Sequence, residues 1–305
     1  MTGPIAIRSL RHVALRCPDL DVARRFYTEA WGLEVVTADE SMLTLRGTGD
    51  EHHVLAFRHA DGLGLDHVAF GVATPSDVDR AADHLVSCGV EVDLEPGPWV
   101  HPGGGYAAAF RDPEGRRVAL VADVASVAPR ARDDARPIEL SHVVFNTVDL
   151  DATVAFWTEI VGLRVSDWSE RQMAFLRCSS RHHSIAFNQH PWTSVNHIAY
   201  EVADIDSFMR SIGRLRHAGH APLWGPGRHG PGNNAFAYFG DPIGYVPEVT
   251  CGLAVVDENT WLPRVWQRVP DQSDLWGTAG PPSAELRQRM AGSPDPTAPS
   301  AGEPG

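Results

Sequence analysis

Three side chains in the second half of this 305-residue chain have the types and settings of metal ligands: His142, His197 and Glu248. The two histidines open strand-like runs, HVVF and HIAY, and Glu248 stands inside the apolar run YVPEV. A carboxylate in the middle of such a run is costly to bury unless it is paired or bound to a metal. Two neutral imidazoles and one carboxylate from three strands make a facial set with three open coordination positions, the arrangement associated with non-haem Fe(II) oxygen chemistry. Glu248 also ends the stretch Gly225 to Glu248, which packs His229, Tyr238 and a carboxylate into one loop–strand–turn–strand unit.

The elements that must position these residues follow from an internal repeat. His12 recurs at His142, Phe26 at Phe156, Gly32 at Gly162, His52-His53 at His182-His183 and His67 at His197, each 130 positions on. Asp112-Pro113 recurs at Asp241-Pro242, 129 positions on, so one residue has been lost between them. Two duplicated domains follow. Each splits again, because the segment at His12 resembles that at His67, and the segment at His142 that at His197. Asp19 caps a helical pattern that ends near Gly32, and a second helix is expected from about Ser76 to Cys88, with short β-rich runs after each. The chain is therefore expected to be α+β, with four βαβββ modules paired into two domains, each a sheet curled around a cavity. The expected boundaries are 8–123 for the first domain, 124–137 for a linker, 138–256 for the second domain and 257–305 for a Pro/Gly-rich tail. The tail is expected to hold one short helix around Ala284 to Met290 and a disordered end, SPDPTAPSAGEPG.

The repeat supplies an internal control. Counted from the Asp-Pro turns, Glu248 corresponds to Ala119 and Tyr238 to Ala109. The first domain lacks the third ligand, so no metal is expected there, and His12 and His67 read as structural. The loop HPGGGY from His101 to Tyr106 reads as a relic of the active-site loop, because no phosphate-binding GxxxxGK[ST] pattern follows.

Composition narrows the function classes. The net charge is −13, with no basic run, which argues against nucleic acid and anionic membrane as partners. No apolar run approaches the length of a membrane span, and the N-terminus lacks the apolar core of a signal peptide. Four scattered cysteines, Cys17, Cys88, Cys178 and Cys251, suit reduced thiols and a cytoplasmic location.

Residues 8 to 256 resemble the vicinal-oxygen-chelate superfamily, which includes glyoxalases, resistance proteins and type I extradiol ring-cleaving dioxygenases. The two-domain build with ligands only in the second domain resembles the extradiol enzymes. Three further positions carry that resemblance: His229 lies 19 residues before Glu248, Tyr238 lies 10 before it, and His183 lies 14 before His197. The resemblance implies cleavage of a catechol-type ring beside its diol by O2, with Fe(II), or alternatively Mn(II), held by His142, His197 and Glu248. It implies His183 as acid–base group, Tyr238 as hydrogen-bond partner of a substrate oxygen and His229 as substrate or proton-relay residue. Asn234 and Trp192 are expected to contact substrate, with Trp224 and Trp168 as further candidate walls. His182, beside His183, is expected to point the opposite way and reach solvent. Arg264 and Arg268 are candidate partners for a substrate carboxylate. The loop departs from some biphenyl-type members, which carry an Asn-Asp pair after the loop histidine where this chain has Gly230-Pro231-Gly232 and then Asn233-Asn234. The resemblance also implies a homo-oligomer. The alternatives are a glyoxalase-like isomerase or lyase, for which neither Asn146 nor Glu201 is a convincing fourth ligand, and a non-catalytic ligand-sequestering protein. A 2-oxo-acid-type dioxygenase would end in a helix that closes the site, which a Pro/Gly-rich tail does not suggest.

Overall fold

The computed structural model describes residues 4–130 and 135–296. The first half contains β1 (Ser9–Cys17), α1 (Leu20–Arg25), β2 (Glu34–Ala38), β3 (Met42–Arg46), β4 (Leu55–His59), β5 (Gly64–Gly71), α2 (Pro75–Ser87), β6 (Val92–Pro98), β7 (Tyr106–Arg111) and β8 (Arg117–Ala122). The second half repeats the series as β9 (Glu139–Thr147), α3 (Leu150–Ala155), β10 (Arg164–Ser169), β11 (Met173–Arg177), β12 (Ile185–Gln189), β13 (Ser194–Glu201), α4 (Ile205–His217), β14 (Trp224–Arg228), β15 (Ala235–Tyr238) and β16 (Pro247–Cys251). Then come β17 (Arg264–Trp266), α5 (Pro270–Ser273) and α6 (Ala284–Ala291). The four βαβββ modules are all present.

In each half the first strands of the two modules pair antiparallel at the centre, β1 with β5 and β9 with β13. The remaining strands fan outward, giving the orders β2-β3-β4-β1-β5-β8-β7-β6 and β14-β15-β16-β13-β9-β12-β11-β10-β17. The fold class is α+β, with two repeated domains of mixed sheets curled around a cavity. Apolar residues on one face of each sheet, such as Val13, Val68, Val143 and Ile198, form one core with the helices.

The helix expected from Asp19 to Gly32 changes character part-way. Asp19 caps it, accepting from Val22 N, but after Arg25 the chain widens into a π turn over Phe26–Trp31. The same happens at Phe156–Ile160. The widened turns bury Tyr27 and Trp157, the two copies of one repeat position. Tyr27 Oη donates to Asp241 Oδ2 at 2.9 Å, and Trp157 Nε1 donates to Asp112 Oδ2 at 3.2 Å. Each domain's Asp-Pro turn thus receives a donor from the other domain. The turns also reach across: Arg116 Nη2 donates to the Asn146 carbonyl at 2.7 Å, and Tyr245 Oη to the Arg16 carbonyl at 2.7 Å.

Arg116 is buried and paired with Asp112 and Glu114, each at 2.7 Å. Removing one partner of a buried ion pair strands the others, so Arg116→Ala should cost about 3–5 kcal/mol. Chemical denaturation measures this as a fall in midpoint; a change within error would mean that the clasp contributes nothing.

The tail holds the short helix expected around Ala284 to Met290, as α6, and adds elements before it that were not foreseen. β17 adds a parallel strand beside β10, and α6 docks on β13. Its backbone is tied down by side chains of the second domain: Asp167 Oδ1 accepts from Arg264 N at 2.8 Å, and Asn146 Nδ2 donates to the Met290 carbonyl at 2.7 Å. Asp295 is buried, with Oδ2 accepting from Leu65 N at 3.3 Å. Residues 297–305, the rest of the end expected to be disordered, lie outside the described residues.

Candidate metal centre and active site

Strand register brings the three ligand candidates together. Across the central pair of the second sheet, His142 faces Ala199 and His197 faces Val144. The two histidines are therefore diagonal neighbours on the same face. On the other side of β13, Ala199 faces Glu248, so Glu248 sits diagonal to His197, and Tyr238 faces Glu248 directly. Side chains alternate along each strand, so all four project from the concave face.

One ligand atom each from His142, His197 and Glu248 lies within a 4.8 Å cluster. Glu248 Oε2 is 3.4 Å from both His142 Nε2 and His197 Nε2, fully buried, and makes no hydrogen bond. A buried carboxylate oxygen with no hydrogen bond, aimed between two imidazole nitrogens, is what a divalent cation would satisfy. Burial alone would raise the pKa of Glu248. The His142 contact and the neighbouring imidazoles outweigh it and hold the carboxyl below its usual range. Burial pushes His197 down to about 3, although Glu248 opposes that shift, so the imidazole is neutral and its lone pair is available.

A second tier of contacts fixes the candidate ligands. His197 Nδ1 donates to Asn196 Oδ1 at 2.7 Å. Asn196 and Asn188 both donate to Asn146 Oδ1 at 2.9 Å, while Asn146 Nδ2 donates to Ser194 Oγ and to α6. His142 Nδ1 lies 3.3 Å from Ser141 Oγ. Asn234, expected at the substrate, lines the cavity, but its amide donates to Thr250 Oγ1 at 2.8 Å and to Glu248 Oε1 at 3.4 Å. It braces the carboxylate.

His183 and Tyr238 line the same cavity. The His183 ring lies 4.3 Å from that of His142, and burial, followed by the neighbouring His142, holds its pKa well below the usual imidazole range. His182 does not reach solvent. It is 0% exposed, with Nε2 3.0 Å from Asp167 Oδ2 and Nδ1 3.0 Å from His183 Nδ1. Both histidines precede β12, so strand alternation does not govern them. The chain of contacts fixes tautomers. Asp167 accepts a proton from His182 Nε2, the His182 Nδ1 lone pair accepts from His183 Nδ1, and His183 Nε2 is left as a base. Asp167→Asn should therefore slow turnover about tenfold or more, with metal retained, since disturbing such outer-shell partners typically costs 10–100-fold. Unchanged turnover in steady-state assays would remove the relay.

His229 follows β14. Its Nδ1 donates to the Ser273 carbonyl at 3.1 Å, so its Nε2 accepts from Tyr238 Oη at 2.9 Å. Burial, followed by the charge of Glu248, raises the pKa of Tyr238 well above the usual phenol range. The Gly230-Pro231-Gly232 loop answers to packing. A Cβ on Gly230 would lie 2.7 Å from the Trp266 ring, and one on Gly232 3.1 Å from His183 Cε1.

The cavity has a volume of about 810 Å³, and His142 and His197 of the candidate cluster line it. Trp224 lines it; Trp168 and Trp192 do not. Trp192 instead donates from Nε1 to the Ala291 carbonyl at 3.0 Å, pinning α6. Arg268 lines the cavity and Arg264 does not, while Arg287, Met290 and Trp266 line it unanticipated. A terminal helix does flank the site, which withdraws the tail as an argument against a 2-oxo-acid-type enzyme.

Residues 9–120 and 139–249 match the sequence profile described as Glyoxalase/Bleomycin resistance protein/Dioxygenase superfamily. The chain belongs to that superfamily. Among solved structures of its members, a Mn(II)-bound glyoxalase from Novosphingobium aromaticivorans is 37% identical, with a TM-score of 0.88 over 92% of this chain and 94% of its own. Metapyrocatechase 2 of Cupriavidus necator is 29% identical, covering 89% of each chain. The manganese-dependent 2,3-dihydroxybiphenyl 1,2-dioxygenase of Geobacillus genomosp. 3 is 28% identical, covering 90% of this chain and 94% of its own. Among the described residues, no helix is long and apolar enough to cross a membrane.

Proposed function

We propose that the chain is a metal-dependent extradiol dioxygenase, opening the ring of a catechol-type substrate with O2 beside its two hydroxyls. The observation that carries this is the three-residue cluster of His142, His197 and Glu248, two of whose members line one cavity with His183, Tyr238 and His229. A three-residue set leaves three positions, enough for a chelating diol and one more small ligand. Glyoxalase-like members need a fourth protein ligand, and among the described residues no fourth joins the cluster. The curated relatives named as ring-cleaving dioxygenases support the same reading over nearly their full length.

His142, His197 and Glu248 would hold Fe(II) or Mn(II), which supplies Lewis acidity and a common template for diol and O2. The protein's own part is proton handling and orientation. Tyr238 gives its proton to His229 Nε2 in a hydrogen bond, so its oxygen faces the cavity as an acceptor for a substrate hydroxyl. His183 Nε2 takes a diol proton and returns it to the developing product oxygen. The Trp224 and Trp266 faces bound the space for an aromatic ring.

Loading the chain with Fe(II) without air and then adding O2 with a panel of catechols tests the reading. Stoichiometric O2 uptake with a yellow ring-fission product is expected. Bound metal with no uptake on any catechol, together with turnover of a hemithioacetal, would transfer the chain to the glyoxalase-like class.

A further inference from the structure

The concave face of the first sheet carries four histidines that the chemistry above does not use. His12 on β1, His53 before β4 and His67 on β5 repeat His142, His183 and His197. His101, in the loop before β7, joins them. The carboxylate position is confirmed as Ala119, which faces Ala69 and Ala109 just as Glu248 faces Ala199 and Tyr238. Absence of that carboxylate led to the expectation of no metal, but that expectation counted neither His53 nor His101.

One ring nitrogen each of His12, His53 and His101 lies within a 4.8 Å cluster. His53 Nδ1 is engaged by His52 at 3.0 Å, and His101 Nδ1 by the Pro102 carbonyl at 3.3 Å. Their Nε2 atoms are buried and make no hydrogen bond. His53 is only 2% exposed. Ordinary packing of neutral histidines does not explain two orphaned nitrogens in one place, because each is a polar group taken from water without compensation. His12 Nε2 is 2.9 Å from His67 Nε2, and His67 Nδ1 is held by Asp66 Oδ2 at 2.8 Å. A carboxylate behind the distal nitrogen is the usual support of a metal-binding imidazole. Trp99 stacks on His101 at 4.7 Å and packs against the small apolar cluster that includes Ala69, Ala109 and Ala119, giving the histidines an apolar wall.

We propose that the first domain binds a second divalent cation through Nε2 of His12, His53 and His101. His67 becomes the fourth ligand once His12 Nε2 turns from it to the metal. An all-imidazole set suits Zn(II) and its borderline neighbours, whereas the carboxylate-bearing set in the second domain suits Fe(II) or Mn(II). Four protein ligands leave no open position, so the bound ion is structural. It ties the HPGGG loop to the sheet.

Zinc stoichiometry of the full chain after exhaustive dialysis is the test, with His142→Ala/Glu248→Ala removing the second-domain site. That variant should retain one Zn(II) and, with Co(II), show the visible d–d bands of a four-coordinate nitrogen site. Adding His101→Asn should weaken zinc binding at least tenfold and abolish the bands. Should the double variant misfold, the otherwise unaltered chain decides: two zinc equivalents should fall to one on His101→Asn, with Fe(II)-dependent O2 uptake unchanged. A chain that holds only one zinc, and still holds it after His101→Asn, overturns the proposal. So does a folded double variant that binds neither Zn(II) nor Co(II).

Discussion

Glu248→Ala is expected to give a folded chain that retains no Fe(II) and consumes no O2 with any catechol. Among the described residues, Glu248 Oε2 is the carboxylate oxygen between His142 Nε2 and His197 Nε2, 3.4 Å from each. Without it only two imidazoles remain, too few for a hard divalent ion. Added Fe(II) should raise the denaturation midpoint of the parent and leave that of the variant unchanged. Iron analysis, an oxygen electrode and denaturation curves read the three parts. Stoichiometric Fe(II) in the variant would refute the ligand assignment.

His183→Phe should leave Fe(II) bound and lower kcat by about 10²–10⁴, the usual contribution of a positioned acid–base group. A phenyl ring fits the slot, since the imidazole already packs against the rings of His142 and Phe175. What disappears is the nitrogen that receives the diol proton. The pH profile carries an independent signature. Burial, and then the neighbouring His142 and His182, depress the His183 pKa, so its base form survives as pH falls through the ordinary imidazole range. The acid limb of the parent's kcat should accordingly lie well below pH 6.5. A limb at the ordinary histidine value, or turnover in the Phe variant within about threefold of the parent, would take His183 out of the reaction.

Much of this site was legible because duplication aligns the chain with itself. The module repeat within the second domain put His142 and His197 on equivalent strands, and the alignment of the two Asp-Pro turns marked Ala119 as the lost carboxylate; strand register bears out both placements. What stayed hidden depends on contacts between segments remote in sequence. Asp167 reaches His182 from β10, and the amides of Asn146, Asn188 and Asn196 meet from three strands. Period-two alternation misplaced His182 because it holds only where the backbone is extended and paired. In the tail the helix near Ala284 was legible, but the docking of the segment before it was not: Gly230 in the facing loop makes room for Trp266, and Asp274 accepts from Arg228 N and Ala279 N. Trp192 was assigned to the pocket as an aromatic residue, but its indole N–H found carbonyls at the end of α6.

The reciprocal clasp between the domains bears on how far this chain can be shortened. Arg116 grips the Asn146 carbonyl, and the Asn146 side chain is the hub of the amides that orient His197. Tyr27 supplies the phenol that Asp241 accepts. A fragment starting at residue 138 would keep every atom assigned to ring cleavage and lose the scaffolding that holds one of them in place. Cutting the gene at the repeat boundary therefore does not yield a minimal enzyme. The half without the glutamate serves as a jig for the half that has it.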